Sequence, residues 1–151
     1  MTHELQIPVE QTAEANAPEV SIVIPCLNEE NSIGIVVEKA KRAIEMMGVS
    51  GEVIVADNGS TDRSVEIALS KGARVVHVAQ KGYGNALRGG IEAARGRIIV
   101  IGDADDSYDF LEAPKLVAKI KEGYDLVVGS RFKGRILPAQ CLGQARSATP
   151  L

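Results

Sequence analysis

Aromatic side chains are scarce in this chain: two Phe, three Tyr and no Trp among 151 residues, 3% in all. That removes the stacking platforms on which single-stranded nucleic acids are held. A basic surplus is missing too, since 17 Lys+Arg stand against 20 Asp+Glu for a net charge of -3. The electrostatic footprint of a nucleic-acid binder is therefore absent. The two cysteines, Cys26 and Cys141, supply neither a disulfide framework nor the CxxC spacing of a zinc site. Reduced thiols in a cytoplasmic chain are the simpler reading. No apolar run reaches the roughly 18 residues that a membrane helix needs. A basic start followed by an apolar stretch, the mark of a secretory leader, is also missing.

What is present is ordinary globular composition, 45% hydrophobic and 25% charged, at a length that suits one domain with a real core. Residues 1–19 carry acidic residues, Gln, Ala and Pro without periodicity and read as a mobile arm. From Val20 the pattern is regular. Val20–Pro25, Glu52–Ala56, Arg74–Val78 and Arg97–Ile101 are short β-rich runs, and a fifth is expected near Tyr124–Val128. Between them lie helical spacings: Ile33, Val36, Val37, Ala40, Ile44 and Met47; then Val65, Ala68 and Leu69, capped by Ser60 or Thr61. Tyr83, Ala86, Leu87, Gly90, Ile91 and Ala94 mark a third helix face, and Ala113, Leu116, Val117 and Ile120 a fourth. Alternating strands and helices, with strands that are apolar throughout, predict a mostly parallel α/β sheet with helices on both faces. After about Gly134 neither period survives, and residues 138–151 read as an irregular tail.

In such sheets the ligand site lies beyond the carboxyl ends of the strands. Here those ends carry Pro25-Cys-Leu-Asn28-Glu29, Asp57-Asn-Gly-Ser-Thr-Asp62, Lys81-Gly-Tyr-Gly-Asn85 and Asp103-Ala-Asp105-Asp106. Any one acidic residue is ordinarily a solvated loop residue; several on one rim suggest a site for a cation or for the donor-rich edge of a heterocycle. Asp103 and Asp105, two apart on an extended segment, would offer hard oxygens to Mg²⁺ or Mn²⁺ bridging to substrate phosphates. The competing reading is a helix N-terminal cluster, since acids favour a first turn. Gly82-Tyr-Gly84 opens a helix, where free N–H groups favour phosphate and Lys81 adds charge. Equally, the glycines serve a tight turn. Leu87 stands where a dinucleotide fingerprint needs its third glycine. His77 lies in an apolar strand without a clustered partner and reads as structural. Cys26 reads as a small buried residue.

Together these segments, with Val128-Gly-Ser130-Arg131-Phe132, resemble the family 2 glycosyltransferases of the GT-A fold, in particular the bacterial dolichyl-phosphate mannose/glucose synthase-like branch. The resemblance runs from Val20 to about Leu137 and implies a nucleotide-sugar-binding domain over residues 20–137. It implies that Pro25, Asn28 and Glu29 line the base and ribose pocket and that Asp57 bonds the base edge. Lys81 and Gly82 would lie near ribose and phosphates. Asp103 and Asp105 would form the DxD pair that touches the ribose and the divalent cation, and Arg131 would face a phosphate. The implied reaction transfers the sugar of a UDP- or GDP-sugar, with inversion, to an acceptor such as polyprenyl phosphate at a membrane surface.

This sequence departs from that pattern in places. Asn58 follows Asp57 where many relatives carry a second acid, and Ser107 stands where some carry a third metal ligand. Relatives continue with an acceptor-binding region, whereas this chain passes into its unpatterned tail. The expectation is a donor-binding half cut short, with little transferase activity of its own and with open surfaces that self-associate. Other readings are a nucleotide-binding remnant without catalysis, a receiver-type phosphoacceptor domain and a sugar nucleotidyltransferase. The receiver would need an acidic pair after the first strand and a lysine after the fifth, where Asn28-Glu29 and Gly129-Ser130 stand. The nucleotidyltransferase would need a Gly-rich loop directly after the first strand, and none is there.

Overall fold

The structure, a computed structural model, describes residues 16–130. Within them β1 (Val20–Cys26), β2 (Gly51–Asp57), β3 (Arg74–His77) and β4 (Ile98–Ile101) form one sheet in the order β3-β2-β1-β4, and every pairing is parallel. Helices α1 (Ile33–Met47), α2 (Ser64–Ser70), α3 (Tyr83–Ala93) and α4 (Ala113–Lys121) connect or follow the strands, with a 3₁₀ turn at Phe110–Glu112 ahead of α4.

The two central strands explain the continuous apolar runs. All of β1 and the last five residues of β2 are buried, because both faces are covered. On one face Val20, Ile22, Ile24, Val53 and Val55 pack with Ile33, Val36, Val37 and Ala40 of α1, with Phe110 and with Val117 of α4. The other face receives α3. A methyl group added at Gly90 would lie 2.5 Å from Val23 and 3.1 Å from Ala56, so the helix backbone rides directly on the sheet. Pro25 sits inside a central strand, where a missing N–H ordinarily breaks a ladder. It does no harm here. The Val23 carbonyl faces β4, accepting from Gly102 N–H at 3.3 Å, and the β1–β4 register ends at Val23–Ile101. Pro25, two residues on, faces the same side beyond the last pair.

At the amino ends of the strands, Glu52 gathers the Ser21 hydroxyl (2.8 Å), the Arg74 guanidinium (2.9 Å) and Arg95 N–H (2.9 Å). Burial pushes the Glu52 carboxyl up, but these bonds outweigh it and hold its pKa below the ordinary value. A cavity of about 300 Å³ lined by Lys41, Ile44, Glu52, Arg74 and Arg95 lies at this end, opposite the carboxyl rim.

Several expectations need correction. No fifth strand forms at Tyr124–Val128: the segment pairs with nothing in the sheet, and Leu126 and Val128 stand exposed. A β-rich run becomes a strand only where a neighbour takes up its backbone groups. Leu69, expected inside, is exposed on α2, whose buried residues are Ser64 and Ala68. Neither Ser60 nor Thr61 caps that helix; the Asp62 carboxylate instead accepts from the N–H and hydroxyl of Ser64 at 2.9 and 2.6 Å. Glu19, the last residue of the expected arm, is tied by its N–H to Ser50 and by its carboxylate to Lys121 (2.7 Å). Residues 1–15, Arg131 and the expected tail lie outside the described residues.

Candidate functional site at the carboxyl rim

Strand order fixes where a ligand would go. The chain runs outward from β1 through β2 to β3 and then returns to the far side of β1 for β4. The carboxyl ends at this reversal form the crevice that open α/β sheets use for ligands. All of the sequence-designated residues within the described part belong to this rim.

The loops after β1 and β2 are fastened to each other. Asn58 N–H donates to the Cys26 carbonyl (2.9 Å), Asn28 N–H to Ser60 Oγ (3.0 Å) and Glu29 N–H to Ser64 Oγ (2.8 Å). In return, Thr61 N–H donates to Asn28 Oδ1 (2.8 Å), and Glu30 and Asp62 exchange bonds with opposing backbone through Glu30 N–H and Arg63 N–H (3.1 Å each). Asn28 adopts φ +54°, a conformation that Asn tolerates better than most residues. Glu29 accepts from the Ser32 hydroxyl at 3.3 Å, so part of its role is to close the entry to α1.

Asp57 ends β2 with 3% of its surface exposed. Its carboxylate accepts from Ser60 N–H (3.1 Å), Gly59 N–H (3.3 Å) and His77 Nδ1 (3.1 Å). Burial raises its pKa, but the bonds from Ser60, His77 and Gly59 prevail, and the net shift is downward. His77 is thus not without a partner: its ring stands largely exposed and grips Asp57. Its neighbour on the adjacent strand, twenty residues away in sequence, was hidden from a reading along the chain. Cys26 is buried as expected, and burial pushes its thiol pKa up.

Lys81 and Gly82 precede α3. The Lys81 ammonium donates to the Asn58 carbonyl at 2.9 Å, and a side chain at Gly59 would run into it. Gly82 takes φ +120°, and its N–H donates to Asn58 Oδ1 at 2.8 Å. The first turn of α3 has no side-chain cap, which leaves its N–H groups aimed at the rim.

Asp103 follows β4 after the single residue Gly102. The segment is not extended, as the spacing argument assumed; it turns at Ala104–Asp105, with Ala104 buried and Asp105 exposed. Asp103 Oδ1 accepts from the Tyr83 hydroxyl at 2.8 Å, and Asp105 accepts from Ser107 N–H at 3.0 Å. Burial, then the Asp103 carboxylate, pushes the Tyr83 phenol up to about 12. Tyr83 was expected on the inner face of its helix and is instead exposed over the rim. Asp106 has φ +58° and pairs with Lys39 of α1 at 2.9 Å, which holds the acidic turn against the body of the domain. No group of three or more His, Cys, Asp or Glu side chains able to hold a metal ion occurs among the described residues.

Comparison with known proteins gives the family of the chain. The model of glycosyl transferase family 2 matches residues 21–141, and the chain belongs to that family. It is 49% identical over 123 residues to the low-salt glycan biosynthesis hexosyltransferase of Haloferax volcanii, covering 81% of this chain and 30% of that protein. It is 36% identical over 114 residues to the dolichyl-phosphate hexose transferase of the same organism, covering 76% and 48%. Among solved structures it is similar to glucosyl-3-phosphoglycerate synthase from Mycobacterium tuberculosis in complex with Mn²⁺, UDP and glucosyl-3-phosphoglycerate. That match has TM-score 0.59 and 31% identity over 71% of this chain and 40% of the other. A further crystal structure of the synthase holds Mg²⁺ with UDP. The chain thus spans half or less of each of these relatives.

Proposed function

We propose that the rim binds the nucleotide and diphosphate of a sugar donor together with Mg²⁺ or Mn²⁺, as the donor part of an inverting glycosyltransferase. The observation that carries this reading is the meeting, at one sheet reversal, of Asp57, the Lys81–Gly82 entry to α3 and the Asp103–Asp105 turn. In a family 2 member these are groups for a base, for phosphates and for a cation. The polyprenyl-phosphate acceptor is supported by the name of the dolichyl-phosphate relative, and by that of an undecaprenyl-phosphate 4-deoxy-4-formamido-L-arabinose transferase from Enterobacter sp., 37% identical over 115 residues. Such an acceptor would bring the protein to a membrane surface, although no helix among the described residues is long and apolar enough to cross one.

The residues present fit a hard cation. Two carboxylates suit Mg²⁺ or Mn²⁺, which are commonly held by one or two carboxylates plus substrate phosphates. Asp103 and Asp105 would hold it, and its chemistry there is Lewis-acid neutralisation of charge on the departing diphosphate. The chain's own groups supply the rest. Asp57 with Pro25, Asn28 and Glu29 would orient the base and ribose. Lys81 and the open first turn of α3 would face the phosphates, and Arg131, outside the described residues, would face a phosphate as the family resemblance implies. A phosphate acceptor is already ionised near neutral pH, so attack needs no general base from the rim.

Calorimetric titration with UDP and with GDP, each with and without Mn²⁺, tests the reading. Binding that strengthens with Mn²⁺, and loses that dependence in Asp105→Ala, is the expected result. Cation-independent affinity unchanged by Asp105→Ala would count against it.

A further inference from the structure

The donor reading leaves one buried rim residue without a role. Asn58 is 4% exposed and carries a polar side chain whose every hydrogen is used. Its Nδ2 donates to the Val78 carbonyl at 3.0 Å and the Gln80 carbonyl at 2.7 Å, while Oδ1 accepts from Gly82 N–H at 2.8 Å. Its backbone is occupied as well, with N–H to the Cys26 carbonyl and the carbonyl receiving the Lys81 ammonium, both at 2.9 Å. One residue therefore joins the ends of β1, β2 and β3 to the entry of α3.

We propose that Asn58 is a positioning residue for the donor. It fastens the 78–82 segment so that Lys81, the first turn of α3 and, through Tyr83, the Asp103 carboxylate stand where the diphosphate arrives. This rests on the donor-site reading and adds a residue to it. The chain of contact is continuous: Asn58 holds Gly82, the next residue is Tyr83, and the Tyr83 hydroxyl holds Asp103. The base end and the cation end of the rim are thereby tied by side chains rather than by the sheet alone.

A carboxamide is suited to this place because it donates twice and accepts once. Aspartate has the same shape but would set a carboxylate against two carbonyl oxygens, next to Asp57, and would draw the Lys81 ammonium away from the carbonyl it now meets. Alanine leaves the Val78 and Gln80 carbonyls and the Gly82 N–H without these partners, a loss worth about tenfold in an equilibrium that depends on their placement.

The test compares the 151-residue chain with Asn58→Asp and Asn58→Ala by two readings. The first is calorimetric affinity for UDP and GDP with Mn²⁺. The second is amide exchange and chemical shift of Gly82 in a ¹⁵N-labelled sample, with Ile98 N–H as the internal control. Ile98 N–H donates to the Glu19 carbonyl at 3.0 Å, apart from every contact of the Asn58 side chain, so it stays protected wherever the sheet is intact. The expected result is a protected Gly82 amide in the parent chain that Asn58→Ala exposes, with Ile98 unchanged and nucleotide affinity about tenfold weaker in both variants. Unchanged affinity in both variants, or a Gly82 amide as protected in Asn58→Ala as in the parent, overturns the proposal. Should both variants lose Ile98 protection, Asn58→Ser keeps one donor and takes their place. A parent Gly82 amide that exchanges as fast as that of Gly84 overturns the proposal without any variant. Failure of the parent chain to bind either nucleotide sinks the donor reading and the proposal with it, and the Gly82 comparison then shows separately whether the clamp exists.

Discussion

Burial works against the charge on Asp57 while Ser60, His77 and Gly59 hold it in place, and the balance lies on the side of the carboxylate. A depressed folded-state pKa gives stability that is complete above the unfolded value, about 4, and that is lost as pH falls through the folded value. Thermal midpoints measured from pH 6 to 2.5 are therefore expected to fall less steeply below about pH 4 in Asp57→Asn than in the parent; parallel curves would show that the carboxylate contributes nothing. The same residue is the proposed reader of the base. Asp57→Ala should weaken nucleotide binding by about 1–3 kcal/mol if a buried hydrogen bond to the base is lost, and equal affinity by calorimetry would remove it from the pocket. The two measurements separate the internal role from the external one, because Asn preserves the shape that holds Ser60 and Gly59. Reading along the chain found Asp57 because an acid at a strand end is conspicuous. It passed over the buried contacts of Asn58, and over Tyr83, whose spacing fitted the apolar face of a helix. The identity of a hydrogen-bond partner on a neighbouring strand is not written in local sequence.

At the scale of elements, α3 shows how a composition signal becomes geometry. Gly90 lets the helix backbone meet Val23 and Ala56, and Gly89 does the same against Val78. Gly90→Ala should lower stability by about 1–3 kcal/mol through overpacking, despite the better helix propensity of Ala; a chemical-denaturation midpoint that rises instead would mean the contact has room to relax. The four paired strands were legible from hydrophobic runs that need little context: β1 and β2 are covered on both faces, and the more open β3 and β4 continue the same sheet. Tyr124–Val128 has the same kind of composition and forms no strand, since the propensity of a segment does not supply the neighbour it would pair with. The acidic turn was legible as to residues but not as to shape. Its bend depends on Asp106 at positive φ and on Lys39, sixty-seven residues earlier, and no spacing rule connects those two.

For the whole molecule, the open side of the sheet matters most. Among the described residues β4 pairs only with β1, and Ile99, Ile101, Leu126 and Val128 all show substantial apolar surface. Exposed strand edges of this composition pair with other copies. Sedimentation velocity of the 151-residue chain should reveal concentration-dependent association that Ile101→Lys diminishes; a single species over a hundredfold dilution would refute this. The donor rim itself is another matter. Its first two loops are already laced together by backbone and side-chain bonds before any nucleotide arrives. Little conformational entropy remains there for a ligand to remove, so the entropy cost that accompanies folding-on-binding should be small. On the proposed reading, a donor would meet this rim as a finished mould.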